Sequence, residues 1–60
     1  MVVCVAGQEI RLLDGMKVKH ALIQTRLLKD VEKGKKVYDE WGNEMGLSGS
    51  LWDGAYLNVR

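Results

Sequence analysis

The chain opens with two strand-like runs on either side of a glycine. Residues 1–6 form a run of apolar, largely β-branched side chains, whereas in residues 9–13 the apolar Ile10 and Leu12 alternate with charged neighbours. A period of two is typical of a strand with one face in water. Because only Gly7-Gln8 separates the runs, they predict an antiparallel β-hairpin that turns there.

The next stretch carries the spacing of an amphipathic helix. Four of its residues fall at positions i, i+3, i+4 and i+7 and so share one helix face. They are Val18, Ala21, Leu22 and Thr25. Asp14 precedes them and is predicted as the N-cap. Ile23 and Leu27 lie off the stripe, which leaves two alternatives: one broad-faced helix, or a break near Thr25 with a second short turn over residues 27–32.

Beyond the helical stretch, short apolar runs alternate with glycine turns. Residues 37–40 and 44–47 flank Gly42-Asn43, and this arrangement predicts a second hairpin with Trp41 at its tip.

The end of the chain completes the fold prediction. Residues 52–54 read Trp-Asp-Gly, a turn signal, and residues 55–59 follow as a last strand. The order of elements predicts a single α+β domain over residues 1–60, with a mixed sheet of four or five short strands packed on one helix. The alternative is a small SH3-like β-barrel that uses the same hairpins and a helix of only a turn or two.

Length and cysteine content limit how such a domain is stabilised. A chain of 60 residues buries only about 60% of its unfolded surface, so its stability is marginal. With one cysteine, no disulfide within the chain can form. A lone cysteine without a signal peptide or a membrane-spanning apolar run favours a cytoplasmic protein that does not engage a membrane.

Charge is segregated along the chain although the net charge is only +1. Residues 16–36 hold seven basic and two acidic side chains, and residues 37–60 hold four acidic and one basic. The candidate contacts for nucleic-acid phosphates are Lys29, Lys33, Lys35 and Lys36. A solvated basic helix face is the simpler interpretation, and the acidic remainder argues against a dedicated nucleic-acid binder.

The side chains that carry chemistry do not combine into a reactive site. Cys4 lies among valines, so we expect a buried small hydrophobe. His20 is the sole histidine, which leaves neither a Ser-His-Asp set nor a metal constellation. Residues 46–50 lack the lysine of a phosphate-binding loop. We therefore expect no catalytic residue, no cofactor and no metal, and a protein that is not an enzyme.

The aromatic residues are the main candidates for binding a partner. Trp41 and Trp52 each lie in a predicted turn, and tryptophan and tyrosine dominate the binding energy of interfaces. If the two tryptophans are exposed they lead the predicted binding surface, with Tyr38 and Tyr56 next. The alternative is that one or both fold back over a core that contains no phenylalanine.

Two segments resemble the β-grasp (ubiquitin-like) families, and the resemblance implies a minimal β-grasp fold. Residues 5–18 look like the opening hairpin and helix entry of sulfur carriers, TGS domains and plant-type ferredoxins, and residues 51–59 look like their closing strand. Sulfur-carrier chemistry requires a Gly-Gly carboxyl end, whereas this sequence ends Asn58-Val59-Arg60. Ferredoxins require four cysteine ligands, and only Cys4 is present. The binding or regulatory role of TGS domains requires no residue that is missing.

These observations together predict a noncatalytic protein-interaction module or accessory subunit. Its protein partner is expected on an exposed sheet edge and the turn aromatics. Two alternatives stay open: a degenerate sulfur-carrier-like protein, and a small RNA-binding module that uses the basic helix.

Overall fold

The structure, a computed structural model, describes residues 1–60 without a gap. Its elements are β1 (Val2–Val5), β2 (Gln8–Arg11), α1 (Val18–Thr25), α2 (Leu28–Glu32), β3 (Val37–Tyr38), β4 (Glu44–Met45) and β5 (Ala55–Val59). The α+β class and the order of elements are confirmed. The expected single helix is two helices, and every predicted strand except the last is shorter in the structure.

The first hairpin turns one residue earlier than predicted. Val5 pairs with Gln8, so the two-residue loop is Ala6-Gly7 instead of Gly7-Gln8. Both loop residues have positive φ, at 49° and 85°. A loop of this kind has the twist of the strands it joins, and glycine reaches it without strain. Ala6 also adopts a left-handed backbone conformation although it carries a Cβ. The sequence did not predict a non-glycine residue in that conformation.

The sheet is mixed and open, with the strand order β2-β1-β5-β3-β4. β5 lies in the middle, parallel to β1 through Cys4 and Tyr56 and antiparallel to β3 through Tyr38 and Asn58. Since the sheet ends at β2 and β4 without closing, the alternative of an SH3-like barrel is not the architecture observed.

Helix α1 begins later than the sequence predicted because distant groups satisfy its first N–H donors. Val18 and Lys19 donate to the carbonyl groups of Gly49 and Leu47 at 3.1 and 3.0 Å. The imidazole Nδ1 of His20 accepts from the backbone N–H of Lys17 at 2.8 Å. Asp14 lies in a preceding turn with its side chain almost fully exposed, so its prediction as N-cap was wrong.

The helical stretch breaks after Thr25, which confirms the second of the two sequence alternatives. Arg26 adopts a left-handed conformation with φ of 64°, and the N–H of Leu27 donates to the carbonyl of Leu22 at 2.8 Å. A left-handed residue with this bond is a common way to end a helix. The chain then turns into α2.

The core lies between α1 and one face of the sheet. It comprises Val3, Val5, Leu12, Val18, Ala21, Leu22, Val37, Ala55 and Leu57. The predicted helix face is confirmed, and Thr25 is buried with it because its hydroxyl donates to the carbonyl of Ala21 at 2.9 Å. Cys4 alternates with the core residues of β1 and is only half-buried, on the face without helices. The expectation of a fully buried thiol was therefore wrong.

The loop whose carbonyl groups cap α1 contains Gly46 and Gly49, and the two glycines should differ in how much stability an alanine substitution costs. A Cβ on Gly49 would lie 3.0 Å from the carbonyl oxygen of Gly46 and 3.4 Å from a methyl group of Val18, whereas a Cβ on Gly46 would meet nothing within 4 Å. We expect Gly49→Ala to lower the free energy of unfolding by about 1–3 kcal/mol. Urea unfolding followed by tryptophan fluorescence measures this, with Gly46→Ala as the matched control. Equal stability of the two variants would contradict the proposed close packing.

The strained loop position predicts a stabilising substitution. Asparagine tolerates left-handed φ better than alanine does, so Ala6→Asn should raise the free energy of unfolding by about 0.5–1 kcal/mol. Ala6→Val, which adds a β-branched side chain at the same φ, should lower it. The same urea titration reports both variants. If the valine and asparagine substitutions gave equal stability, φ would not be what limits this turn.

Candidate interaction surface

The two tryptophans lie against each other outside the core. Their ring centroids are 6.4 Å apart and the ring planes differ by 24°. Trp41 is 69% exposed and Trp52 is 38% exposed, and neither is among the nine buried residues of the core. The alternative that they fold over the core is therefore not what the structure shows. We call these two side chains the tryptophan pair.

Strand topology explains why two residues eleven positions apart in the chain meet. Trp41 follows β3, and Trp52 precedes β5. Because β3 and β5 run antiparallel, with Tyr38 opposite Asn58, the chain that leaves β3 continues towards the start of β5. The two turns that carry the tryptophans therefore emerge at the same end of the sheet.

Asp39 fixes the turn that carries Trp41. Its buried carboxylate accepts from the backbone N–H groups of Trp41 and Asn43, each at 2.9 Å, and from the amide side chain of Asn43 at 3.2 Å. An aspartate whose side chain accepts from its own following backbone is a common turn device. Sequence reasoning missed this residue, although Asp39 lies just before the predicted Gly42-Asn43 turn.

The hydrogen bonds around Asp39 also set its protonation. Partial burial alone would raise the pKa of the Asp39 carboxyl group, because burial disfavours the charged form. Hydrogen bonds from Asn43, Trp41 and the backbone of Gly42 outweigh that effect and hold the pKa below its ordinary value. At neutral pH the turn is therefore closed by a carboxylate.

Asp53 fixes the second turn in a similar way. Its Oδ1 accepts from the backbone N–H of Val2 at 2.7 Å, and Gly54 donates back to the carbonyl of Val2 at 2.7 Å. Within the turn, Ala55 donates to the carbonyl of Trp52 at 3.1 Å. These bonds fix the two residues that follow Trp52 against β1.

The two tyrosines lie on the sheet face without helices but in different surroundings. Tyr56 is 40% exposed and is the second residue of β5, near the turn that carries Trp52. Tyr38 is half-buried, and the Arg60 guanidinium lies 5.0 Å from its ring centroid. Tyr56 thus leaves part of its ring open to a partner, whereas Tyr38 already has a cation over its ring.

The four candidate lysines are exposed but lie away from the tryptophan pair. They follow one another from α2 through the connection to β3: Lys29, Lys33, Lys35 and Lys36. Lys36 exchanges two backbone hydrogen bonds with Arg60, which places it at the far end of β5 from Trp52. Since a strand rises about 3.3 Å per residue, the two ends of β5 lie on the order of 15 Å apart.

Lys29 also lines a shallow groove beside the helix break. The groove has a volume of about 630 Å³, and its lining residues are Ile23, Arg26, Leu28, Lys29 and Glu32.

No cluster of three or more histidine, cysteine, aspartate or glutamate residues is arranged to bind a metal ion. Neither helix has the length and apolar character needed to cross a membrane.

The depressed pKa of Asp39 predicts how the turn responds to acid. Because this pKa is lower in the folded than in the unfolded chain, the stabilisation is complete above the unfolded pKa and is lost as pH falls through the folded one. Asp39→Ala should therefore lower the urea midpoint at pH 7, and its deficit against the wild type should shrink as the pH falls below about 4. The urea midpoint of Asp39→Asn, which keeps one acceptor oxygen, should lie between those of Asp39→Ala and the wild type at pH 7. A deficit that stays constant with pH would show that the carboxylate charge plays no part.

Comparison with known proteins assigns no role to this surface. The chain matches no family model, no curated protein and no solved structure. What the tryptophan pair can bind must therefore be argued from its own geometry and charges.

Proposed function

We propose that this protein is a noncatalytic interaction module that binds a protein partner through the tryptophan pair. One observation carries the proposal: two large indole side chains stack on each other and are left exposed, Trp41 most of all, while nine smaller residues form the core. Large aromatic groups left outside a small core mark a surface on which a partner can bury them.

The rigidity of the two turns supports this proposal. Asp39 accepts a hydrogen bond from the backbone N–H of Trp41. Asp53, which directly follows Trp52, accepts one from the backbone N–H of Val2. Side chains that are held in place before binding lose little conformational entropy when a partner covers them. The contact between the rings also limits the rotation of each indole. The surface therefore suits recognition by preformed aromatic groups.

We further propose that the domain is a minimal β-grasp. Support comes from the mixed five-stranded sheet, in which a first hairpin, a helical stretch and a second hairpin are followed by a closing strand in the centre. The chemistries of the sulfur-carrier and ferredoxin members would not apply, whereas a binding role would. The lone cysteine keeps the cytoplasm as the proposed setting.

The distribution of charge gives less support to RNA binding. Single-stranded nucleic acid is held where stacking aromatics and cationic side chains line one groove. Here Lys36 and the tryptophan pair lie at opposite ends of β5, and Glu40 and Asp53 are the neighbours of the two tryptophans. A phosphate backbone that followed the indoles would approach carboxylates instead of lysines.

Affinity capture from the source lysate, read by mass spectrometry with and without nuclease, tests the interaction module. We expect a nuclease-resistant protein partner whose recovery falls at least tenfold with Trp41→Ala, because hot-spot tryptophans contribute about 2 kcal/mol or more. Ile23→Ala is the matched control, since Ile23 is also a large exposed apolar residue but lies in the groove beside the helix break.

Two results would contradict the proposal. Recovery of the same partner at the same level with Trp41→Ala would remove the tryptophan pair from the interface. Capture that disappears with nuclease, and that Lys35→Ala with Lys36→Ala also abolishes, would move the function to RNA binding.

A further inference from the structure

We infer that the tryptophan pair is a receptor for lysine or arginine side chains, and that the partner presents them on a basic segment. This inference rests on the proposed function and names the chemistry of the partner. Three features carry it: a stacked indole pair that is exposed to solvent, acidic residues next to both tryptophans in the sequence, and the lack of any cation from the chain itself over either ring.

The indole rings provide the first part of such a site. A lysine ammonium or arginine guanidinium is attracted to an aromatic face within about 6 Å of the ring centroid, and tryptophan is the strongest partner. Trp41 exposes more than two thirds of its surface. Because the planes of Trp41 and Trp52 differ by only 24°, the aliphatic stem of an incoming side chain can cover one indole while its charge reaches the edge of the pair.

Acidic residues adjacent in sequence to both tryptophans provide the second part. Glu40 directly precedes Trp41 and Asp53 directly follows Trp52, and both are exposed. Only Oδ1 of Asp53 has a hydrogen-bond partner within the chain, the N–H of Val2, so the group is held in position with a second oxygen facing no donor. The negative charge that these two residues add to the turns of the tryptophan pair would favour a cation there.

The chain's own cations leave this site open. Arg60 lies over Tyr38 at 5.0 Å, which is the one cation–aromatic contact in the molecule. Lys17 reaches the loop that leads to Trp52, but its ammonium donates to the hydroxyl of Ser50 at 3.2 Å. The electrostatic attraction of the indole faces and their carboxylates is therefore available to a cation from a partner.

Titration with synthetic peptides tests this inference on the full chain. The probes are a Gly-Ser peptide with three arginines, the same peptide with three lysines, and the same peptide with three glutamates. Tryptophan fluorescence and the two indole N–H signals in NMR report binding. We expect saturable binding of both basic peptides, weakened by salt, and no binding of the acidic peptide.

Charge-neutral variants separate the carboxylates from the rings. Glu40→Gln and Asp53→Asn keep the side-chain shapes, and asparagine can still accept from the N–H of Val2. Each should weaken binding of the arginine peptide about threefold to fivefold, and Trp41→Ala about tenfold. Lys35→Gln, at the opposite end of the sheet, is the control that should leave the affinity unchanged.

Three outcomes would overturn the inference. One is equal binding of the acidic and basic peptides, and another is full affinity in the Glu40→Gln, Asp53→Asn double variant. The third is concentration-dependent self-association of the free protein that Trp41→Ala abolishes and Lys36→Gln leaves unchanged, because a second copy would then cover the indoles without that lysine.

The result also separates this inference from the proposed function. If lysate capture depends on Trp41 but the arginine peptide does not bind, the interaction module stands and the basic-segment chemistry is wrong. If capture is independent of Trp41 while the arginine peptide binds, the cation site exists and the proposed function is wrong.

Discussion

The insertion of β5 between β1 and β3 is the constraint on which the rest of the structure depends. This last strand contributes Ala55 and Leu57 to the core and joins the two halves of the chain through one parallel and one antiparallel ladder. The short strands β3 and β4 would have no sheet to extend without it. A domain of this size has little apolar surface to bury, so a central strand that adds two residues to the core is a large part of what closes it.

The same strand determines the position of the candidate surface. Because β3 runs antiparallel to β5, the turn after one and the turn before the other emerge together, and Trp41 meets Trp52. At the opposite end of β5, Lys36 and Arg60 pair through their backbones. The strand therefore separates the end of the sheet that carries the tryptophan pair from the end that carries Lys36 and Arg60.

Hydrogen bonds to two aspartate carboxylates hold the turns that carry the tryptophan pair. The turn at Asp39 and the turn at Asp53 each use an aspartate to accept backbone N–H groups rather than to form a salt bridge. Exposed ion pairs contribute little to stability, and the pair between Lys36 and Glu44, 3.6 Å apart on the surface, belongs to that class. Hydrogen bonds from a turn to a carboxylate instead fix where the neighbouring side chain lies. These hydrogen bonds therefore lie in the same two short segments that carry Trp41 and Trp52.

Features that depend on nearby residues were determined by the sequence. The helix face from Val18 to Thr25, the last strand and the α+β class could be predicted because apolar periodicity and glycine turns are local signals. Features that depend on distant partners were decided only by the tertiary structure. Helix α1 starts at Val18 because the carbonyl groups of Leu47 and Gly49 reach it, and Cys4 is half-buried because one sheet face has no helix. The tryptophan pair belongs to this second group: each indole could be placed in a turn from the sequence, but only the pairing of β3 with β5 brings the two rings together.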